Sequence, residues 1–260
     1  MKVAVAGGTG VVGRWTVSAL RDAGHEPVVL ARSAGVDLVS GQGLAAALTG
    51  CEAVIDVSNI AGTKAAVVSA FFEAVSRNLT REAAVAGARH IVALSIIGID
   101  GVPYGYYQGK VRQEEVLRSS PVPVSVLRAA QFHEFAGQYL ARMPGRFVIV
   151  PKWRSQPVAA REVGAALARL ATGSPPPAGE LAMSQLAGPR EENMADLIRQ
   201  VARAQAASGR GKRRQVIEVR IPGAAGRSMA GGGSLPGPDV PLGTQAFTEW
   251  LAAQVREGTL

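Results

Sequence analysis

Two observations predict an α/β fold built on a doubly wound parallel sheet. Through its first half the chain alternates short apolar runs with segments of helical spacing, the order expected when crossover helices join the strands of a parallel sheet. Directly after the first apolar run stand Gly7, Gly10 and Gly13, three residues apart. In such a fold this is where the first strand turns into the first helix.

Val3-Ala4-Val5-Ala6 reads as that first strand, and Trp15 to Leu20 as the body of the helix. Each glycine between them has its own task. The first permits a tight bend, the second lets backbone N–H groups approach a pyrophosphate, and the third lets helix pack closely on strand. A phosphate then rests at the helix N-terminus, where unpaired N–H groups and the helix dipole favour negative charge. Further strands are expected at Pro27–Ala31, Ala53–Val57, His90–Ser95 and Val124–Arg128. Helical spacing marks "RWTVSALRDAG", "GLAAALTG", "TKAAVVSAFFEAVSRNLTREAAVAGA" and "YYQGKVRQEEVLRSS", and three of the four run into a glycine suited to stop a helix. Past residue 140 the pattern loosens. "RFVIVPKW" and "RQVIEVRIPG" read as strands, and "AAREVGAALARLA", "NMADLIRQVARAQAA" and "TQAFTEWLAAQV" as helices. "GSPPPAGE" is a stiff turn and "AGGGSLPGPDVPLG" a flexible connection.

At 260 residues, 47% hydrophobic and 18% charged, the chain has the composition of a globular protein. A single domain is expected, with residues 1–150 as its cofactor-binding core and 151–260 supplying a small C-terminal substrate-binding part. The opening residues already form a strand, and no apolar stretch approaches the roughly 18 residues that span a bilayer. The expectation is therefore a cytoplasmic protein with no membrane partner. Cys51 is the only cysteine, which excludes an internal disulfide and a multi-cysteine metal site; beside a strand, it reads as a small packed residue. No His, Cys and carboxylate cluster has metal-ligand spacing, so no metal is expected. The net charge of +8 has one true basic cluster, "GRGKRR" at Gly209–Arg214. No aromatic residues are interleaved for stacking on bases, so it reads as a solvated loop and no nucleic acid is expected. The partner expected is a small-molecule substrate, with a homodimer as the assembly considered.

The second strand identifies the cofactor. A site for NAD places Asp or Glu about 20 residues past the glycines to hold the ribose 2′-hydroxyl, whereas here "EPVVLARS" ends in Arg32-Ser33. A guanidinium pairs with a 2′-phosphate and a carboxylate repels one, so NADP(H) is expected. Arg14 is a weaker candidate for the same phosphate. A catalytic group is offered by "GVPYGYYQGKVRQEEVL", which holds three of the four tyrosines. Tyr106 and Lys110 are four apart and share a helix face. A neighbouring cation stabilises a phenolate, and the pair can exchange a proton with an oxygen while hydride moves at carbon. Ser95, ending the strand "HIVALS", is placed to hydrogen-bond the same oxygen.

The sequence also resembles the atypical short-chain dehydrogenases/reductases, particularly their NmrA-like NAD(P)-binding branch. The likeness is carried by "VAVAGGTGVVGR", "ALTGCEAVIDVSN", "AAVAGARHIVALSIIGID", "YYQGKVRQEEVLRSS", "VSVLRAAQFHEF", "REVGAALARL" and "LAGPREENMADLIRQVA". The resemblance implies a Rossmann-type NAD(P)-binding fold. By position it implies that Gly7, Thr9, Gly10, Val12 and Gly13 touch the phosphates, Arg32 and Ser33 the adenosine phosphate, and Asp37 and Leu38 the adenine. It further implies Ser58 and Asn59 along the ribose, Ser95, Tyr106 and Lys110 at the nicotinamide, and Ala130, Gln131 and Phe132 beside its carboxamide. "RAAQF" departs from relatives that have proline after the arginine.

The function expected is an NADP-dependent oxidoreductase acting on a carbonyl or alcohol of a small organic molecule. Tyr106 is its general acid/base, Lys110 lowers the phenol's pKa and holds the ribose, and Ser95 orients the carbonyl. The alternatives are a non-catalytic NADP(H)-binding redox sensor and an NAD(P)-dependent sugar-nucleotide epimerase. His133 and Trp153 are candidate substrate contacts, while Asp56 and His90 read as structural.

Overall fold

Val3, Ala4, Val5 and Ala6 are wholly buried, as four consecutive apolar residues must be if both faces of their strand are covered. They belong to β1 (Lys2–Ala6), which is followed by α1 (Val11–Asp22), β2 (Glu26–Leu30), α2 (Leu44–Leu48), β3 (Ala53–Asp56), α3 (Ala65–Val85), β4 (His90–Ile96), α4 (Gly105–Leu117) and β5 (Val124–Ala129). The chain continues through α5 (Phe135–Arg142), β6 (Phe147–Pro151), β7 (Arg154–Ser155), α6 (Ala160–Thr172) and β8 (Leu181–Leu186). It ends with β9 (Glu192–Asn193), α7 (Met194–Ala207), β10 (Gln215–Val219), α8 (Gly223–Gly231) and α9 (Phe247–Glu257). This computed structural model describes residues 1–260. They form two units: Met1–Arg128 with Arg161–Ser184, and Ala129–Ala160 with Gln185–Leu260.

The first unit holds a six-stranded parallel sheet in the order β2-β1-β3-β4-β5-β8 with flanking helices. From β1 the chain moves outward to β2, then returns to β1's other side as β3, so the order reverses between β1 and β3. Ligands bind such sheets at this switch point, beyond the carboxyl ends of the strands. The register aligns those ends: Ala6 faces both Leu30 and Asp56, and Asp56 faces Ala93. Gly7, Ala31, Val57 and the close of β4 consequently share one edge. One face of the sheet buries Ala4, Val54, Ile91 and Val126 against Leu48 of α2 and Leu79 of α3. Each such aliphatic side chain contributes about 1.5–3 kcal/mol when fully buried.

The strands and helices expected in the first half are all present, with ends shifted by no more than a few residues, and Gly24, Gly50 and Gly87 stand two residues past the ends of α1, α2 and α3 as helix stops. The strand β8 was not foreseen. It occupies the sheet's edge and most of its side chains are exposed or half-buried, so neither an apolar run nor an alternation marks it.

The second unit has its own core, in which Leu140 of α5, Val148 and Val150 of β6, Ile198 and Val201 of α7, and Phe247 and Trp250 of α9 pack together. Strand β6 pairs in parallel with β10, and β7 antiparallel with β9. Helices α5 and α8, neither of them expected, also belong here.

Candidate functional site

The turn after β1 is shaped by what its glycines cannot carry. Gly7 has φ +78°, and a Cβ there would stand 2.7 Å from Val57 O, so the β1 and β3 connections touch through backbone alone. A Cβ on Gly13 would overlap Gly7 O and stand 2.7 Å from Gly8 Cα, which seats α1 directly on the turn. Gly10 caps α1, whose first turn has neither a side-chain cap nor an acidic residue. Its unpaired N–H groups are left for an anion. Val12 is buried beneath this turn and Thr9 is exposed above it.

Beside the turn lies a cleft of about 530 Å³, lined by Gly7, Thr9, Arg32, Asp37, Leu38, Ser58 and Asn59 among others. Ser33 is exposed outside that lining. Asp37 accepts hydrogen bonds from Val39 N and Ser40 N at 2.8 and 2.9 Å. Those N–H groups, with a smaller contribution from the Arg32 charge, hold its carboxyl below the ordinary value. The Arg32 carbonyl accepts from Gly35 N, while its side chain makes no hydrogen bond or ion pair and its guanidinium is available to a ligand. Ser58 Oγ is buried without a hydrogen-bond partner, which is unusual for a buried hydroxyl. A cradle only glycine can line, an unpaired guanidinium and an orphaned hydroxyl together fit a dinucleotide.

The catalytic candidates sit on β4 and α4, with Lys110 and Ser95 each held in a buried polar cluster of its own. Lys110, 4% exposed, donates from Nζ to Leu94 O at 2.6 Å and to Gln113 Oε1, and lies 4.4 Å from the centroid of the Phe72 ring. Gln113 in turn donates to Asp56 Oδ2 at 2.8 Å. Burial lowers the Lys110 pKa from 10.5 to about 8, with Asp56 and Glu114 pulling the other way. Ser95, 1% exposed, donates from Oγ to Glu114 Oε1 at 2.6 Å. Glu114 also receives Arg128 Nε at 2.9 Å and Nη2 at 2.6 Å, and Arg128 reaches on to Asp100. The Arg128 pKa is raised chiefly by Glu114, and that of Asp100 is lowered chiefly by Arg128. Tyr106, by contrast, points toward the cleft and donates to Asn59 Oδ1 at 2.7 Å. Sequence reasoning did not assign Gln113 or Glu114. Their signal was spacing: three and four residues past Lys110, they fall on the same helix face.

The remaining expected residues belong to the second unit. Val158 N donates to Gln131 O at 2.9 Å and His133 N to Val158 O at 3.0 Å, which fixes the strand-like path from Ala130 through Phe132. His133 is buried and its Nε2 lies 2.9 Å from Gln245 O, among the rings of Phe247 and Trp250. Trp153 is also buried, donating to Ser234 Oγ at 3.2 Å. A separate cleft of about 560 Å³ is lined by Arg203, Arg213 and Arg214 with small residues at the end of α7. It holds none of the expected site residues, and Arg214 donates to the carbonyls of Leu140 and Met143 that close α5. No group of His, Cys, Asp and Glu is arranged to hold a metal ion, and no helix is long and apolar enough to cross a membrane.

Comparison with known proteins accords with this geometry. No curated protein matches in sequence. The fold is that of the triphenylmethane reductase of Citrobacter sp. complexed with NADP(H), at TM-score 0.69 and 15% identity over 98% of this chain and 100% of that one. An NADPH-dependent quinone oxidoreductase from Escherichia coli matches at TM-score 0.63 and 17% identity, over 96% and 98%. The Thermus thermophilus UDP-glucose 4-epimerase in complex with NAD matches at 0.68 and 18%, over 98% and 99%. At 15–18% identity these likenesses are of fold. Residues 7–170, which contain the glycine turn, the cleft and helix α4, match the NAD(P)H-binding family, and the chain belongs to that family.

Proposed function

We propose that the chain is an NADP-dependent oxidoreductase that transfers hydride between NADP(H) and a carbonyl or alcohol carbon of a small organic substrate. The observation that carries this reading is the placement of Tyr106: its phenol meets a residue that lines the cofactor cleft, on the helix that carries Lys110 one turn later. Arg32 favours NADP over NAD because it stands at the end of β2, where a site for NAD carries a carboxylate. An NADPH-dependent quinone oxidoreductase and a triphenylmethane reductase complexed with NADP(H) share this fold.

When bound, NADP(H) supplies or takes up the hydride. Gly7, Thr9, Gly10, Val12 and Gly13 hold the phosphates, and Arg32 with Ser33 holds the 2′-phosphate. Asp37 and Leu38 face the adenine, Ser58 and Asn59 the ribose, and Ala130, Gln131 and Phe132 the carboxamide. Tyr106 gives its phenolic proton to the substrate oxygen during reduction and recovers it during oxidation, and the Lys110 charge favours the phenolate. Ser95 directs its own hydrogen at Glu114, and it orients a substrate carbonyl when that hydrogen turns to the substrate oxygen. His133 and Trp153, whose polar atoms are engaged, act as wall on the substrate side. We assign the cofactor-binding core to residues 1–150 and the substrate-side elements to 151–260, a division in sequence that the two packed units do not follow, since Arg161–Ser184 packs with the first and Ala129–Ala160 with the second.

A second reading, a redox sensor without turnover, is favoured by the inward hydrogen bonds of both Ser95 and Lys110. The deciding experiment follows NADPH oxidation over a panel of quinones, aldehydes and ketones, with Tyr106→Phe as control. Turnover that collapses in Tyr106→Phe supports the enzyme. Turnover at the parental rate in that variant sinks the assigned site. Unequal affinity for NADP+ and NADPH with no turnover on any carbonyl supports the sensor.

A further inference from the structure

Tyr106 and Asn59 reach each other from different elements. Asn59 stands between β3 and α3 and lines the cofactor cleft, while Tyr106 belongs to the first turn of α4. Two further contacts hold the elements together at this point. The Tyr106 ring meets Phe72 of α3 edge-on with centroids 6.0 Å apart. The neighbouring Gly105 lies so close to the β3–α3 connection that a Cβ there would stand 2.8 Å from Ala65 N. The ring is thus wedged beside α3, and its hydroxyl donates to Asn59 Oδ1 at 2.7 Å.

We propose that Asn59 is the positioning residue of Tyr106: by accepting the phenolic hydrogen it fixes the direction of the O–H bond and keeps the phenol neutral until a substrate oxygen takes that hydrogen instead. The inference rests on the reading of Tyr106 as proton donor and adds the group that sets it. A hydrogen bond to the neutral form of an acid favours that form, and a donor held in one direction loses less freedom on meeting its acceptor. Because Asn59 also lines the cleft, cofactor seating and phenol direction share one side chain. The charged groups of the surrounding elements are Lys110 on α4 itself, Asp56 at the end of β3, Lys64 ahead of α3, Glu73 of α3 paired with Arg112, and Glu114 with Arg128 and Asp100 beside β4. None of these changes in an Asn59 variant.

The test is an ultraviolet titration of tyrosinate absorbance in the full chain without cofactor, so that its readout does not depend on turnover. Asn59→Asp places a carboxylate on the phenolic hydrogen, and the ionisation of one tyrosine moves to higher pH by about one unit, a tenfold gain in proton affinity. Asn59→Ala replaces the fixed acceptor by water and moves the same ionisation to lower pH. Tyr106→Phe removes that ionisation, and in the double variant Asn59→Asp/Tyr106→Phe no displacement remains. Where a carbonyl supports turnover, the pH profile of kcat moves with the titration. Superimposable titrations of parent and Asn59→Asp overturn the inference, as does a displacement that persists in the double variant. Parental turnover by Tyr106→Phe sinks the reading of Tyr106 as proton donor and leaves the titration result standing on its own.

Discussion

Lys110→Met tests the buried network through the pH dependence of stability. Folding buries the Lys110 ammonium almost completely, and its pKa falls from 10.5 in the open chain to about 8. Between those two values the unfolded chain keeps a proton that the folded chain has released, so stability rises with pH across this window. At about 1.4 kcal/mol per unit of displacement, the rise amounts to about 3 kcal/mol in all. Below pH 8 both states hold the proton and the cost of burying the charge is constant; above pH 10.5 neither holds it and the cost is gone. The variant has no such proton. It also leaves Leu94 O and Gln113 Oε1 without their donor, so its stability at neutral pH sums opposing effects. The slope isolates the charge. Urea unfolding of both proteins at steps from pH 7 to pH 10 is expected to show the parent gaining about 2.5 kcal/mol on the variant, most of the full rise. Parallel curves across the range would refute the buried, charged Lys110.

Three further outcomes follow from the same structure. Gly13→Ala forces a methyl into Gly7 O, costs about 1–3 kcal/mol of stability as overpacking does, and weakens NADPH binding in a fluorescence titration; unchanged melting and affinity would count against the glycine turn. Glu114→Gln removes the charge that Arg128 and Ser95 share, both partners of the ion pair being largely buried. Chemical denaturation should show a loss of about 3 kcal/mol, and a loss below about 1 kcal/mol, the scale of an exposed pair, would mean that the network is solvated. Ser95→Ala deletes the donor to Glu114, and a fall in kcat with little change in the KM for NADPH is expected; a fall in stability alone would make Ser95 a strut between β4 and α4.

What was legible in the sequence divides along physical lines. Strands β1, β3, β4 and β5 announce themselves because they are largely buried and read as nearly continuous apolar runs, and β2, half-buried at the sheet's edge, by its Val-Val-Leu run. Helix α4 and the relation of Tyr106 to Lys110 follow from spacing alone. The exposed edge strand β8 gave no such signal. Helix α8, "GAAGRSMAG", carries three glycines, which weaken a helix, and only Gly226 and Met229 are buried on it. At the site, spacing placed Ser95, Tyr106 and Lys110 near one another but said nothing of where their hydrogens go. That Ser95 turns to Glu114, Lys110 to Leu94 O and Tyr106 to Asn59 depends on residues 16 to 47 positions apart, which local pattern does not encode.

The most direct test of the account is a fluorescence titration of the parent and of Arg32→Glu with NADPH and with NADH. The parent is expected to bind NADPH at least about tenfold more tightly than NADH, the scale of one charge-assisted hydrogen bond to the 2′-phosphate, and the variant is expected to lose or reverse that preference. Equal affinity of the parent for both would contradict the role of Arg32, and binding of neither would contradict the cofactor cleft itself.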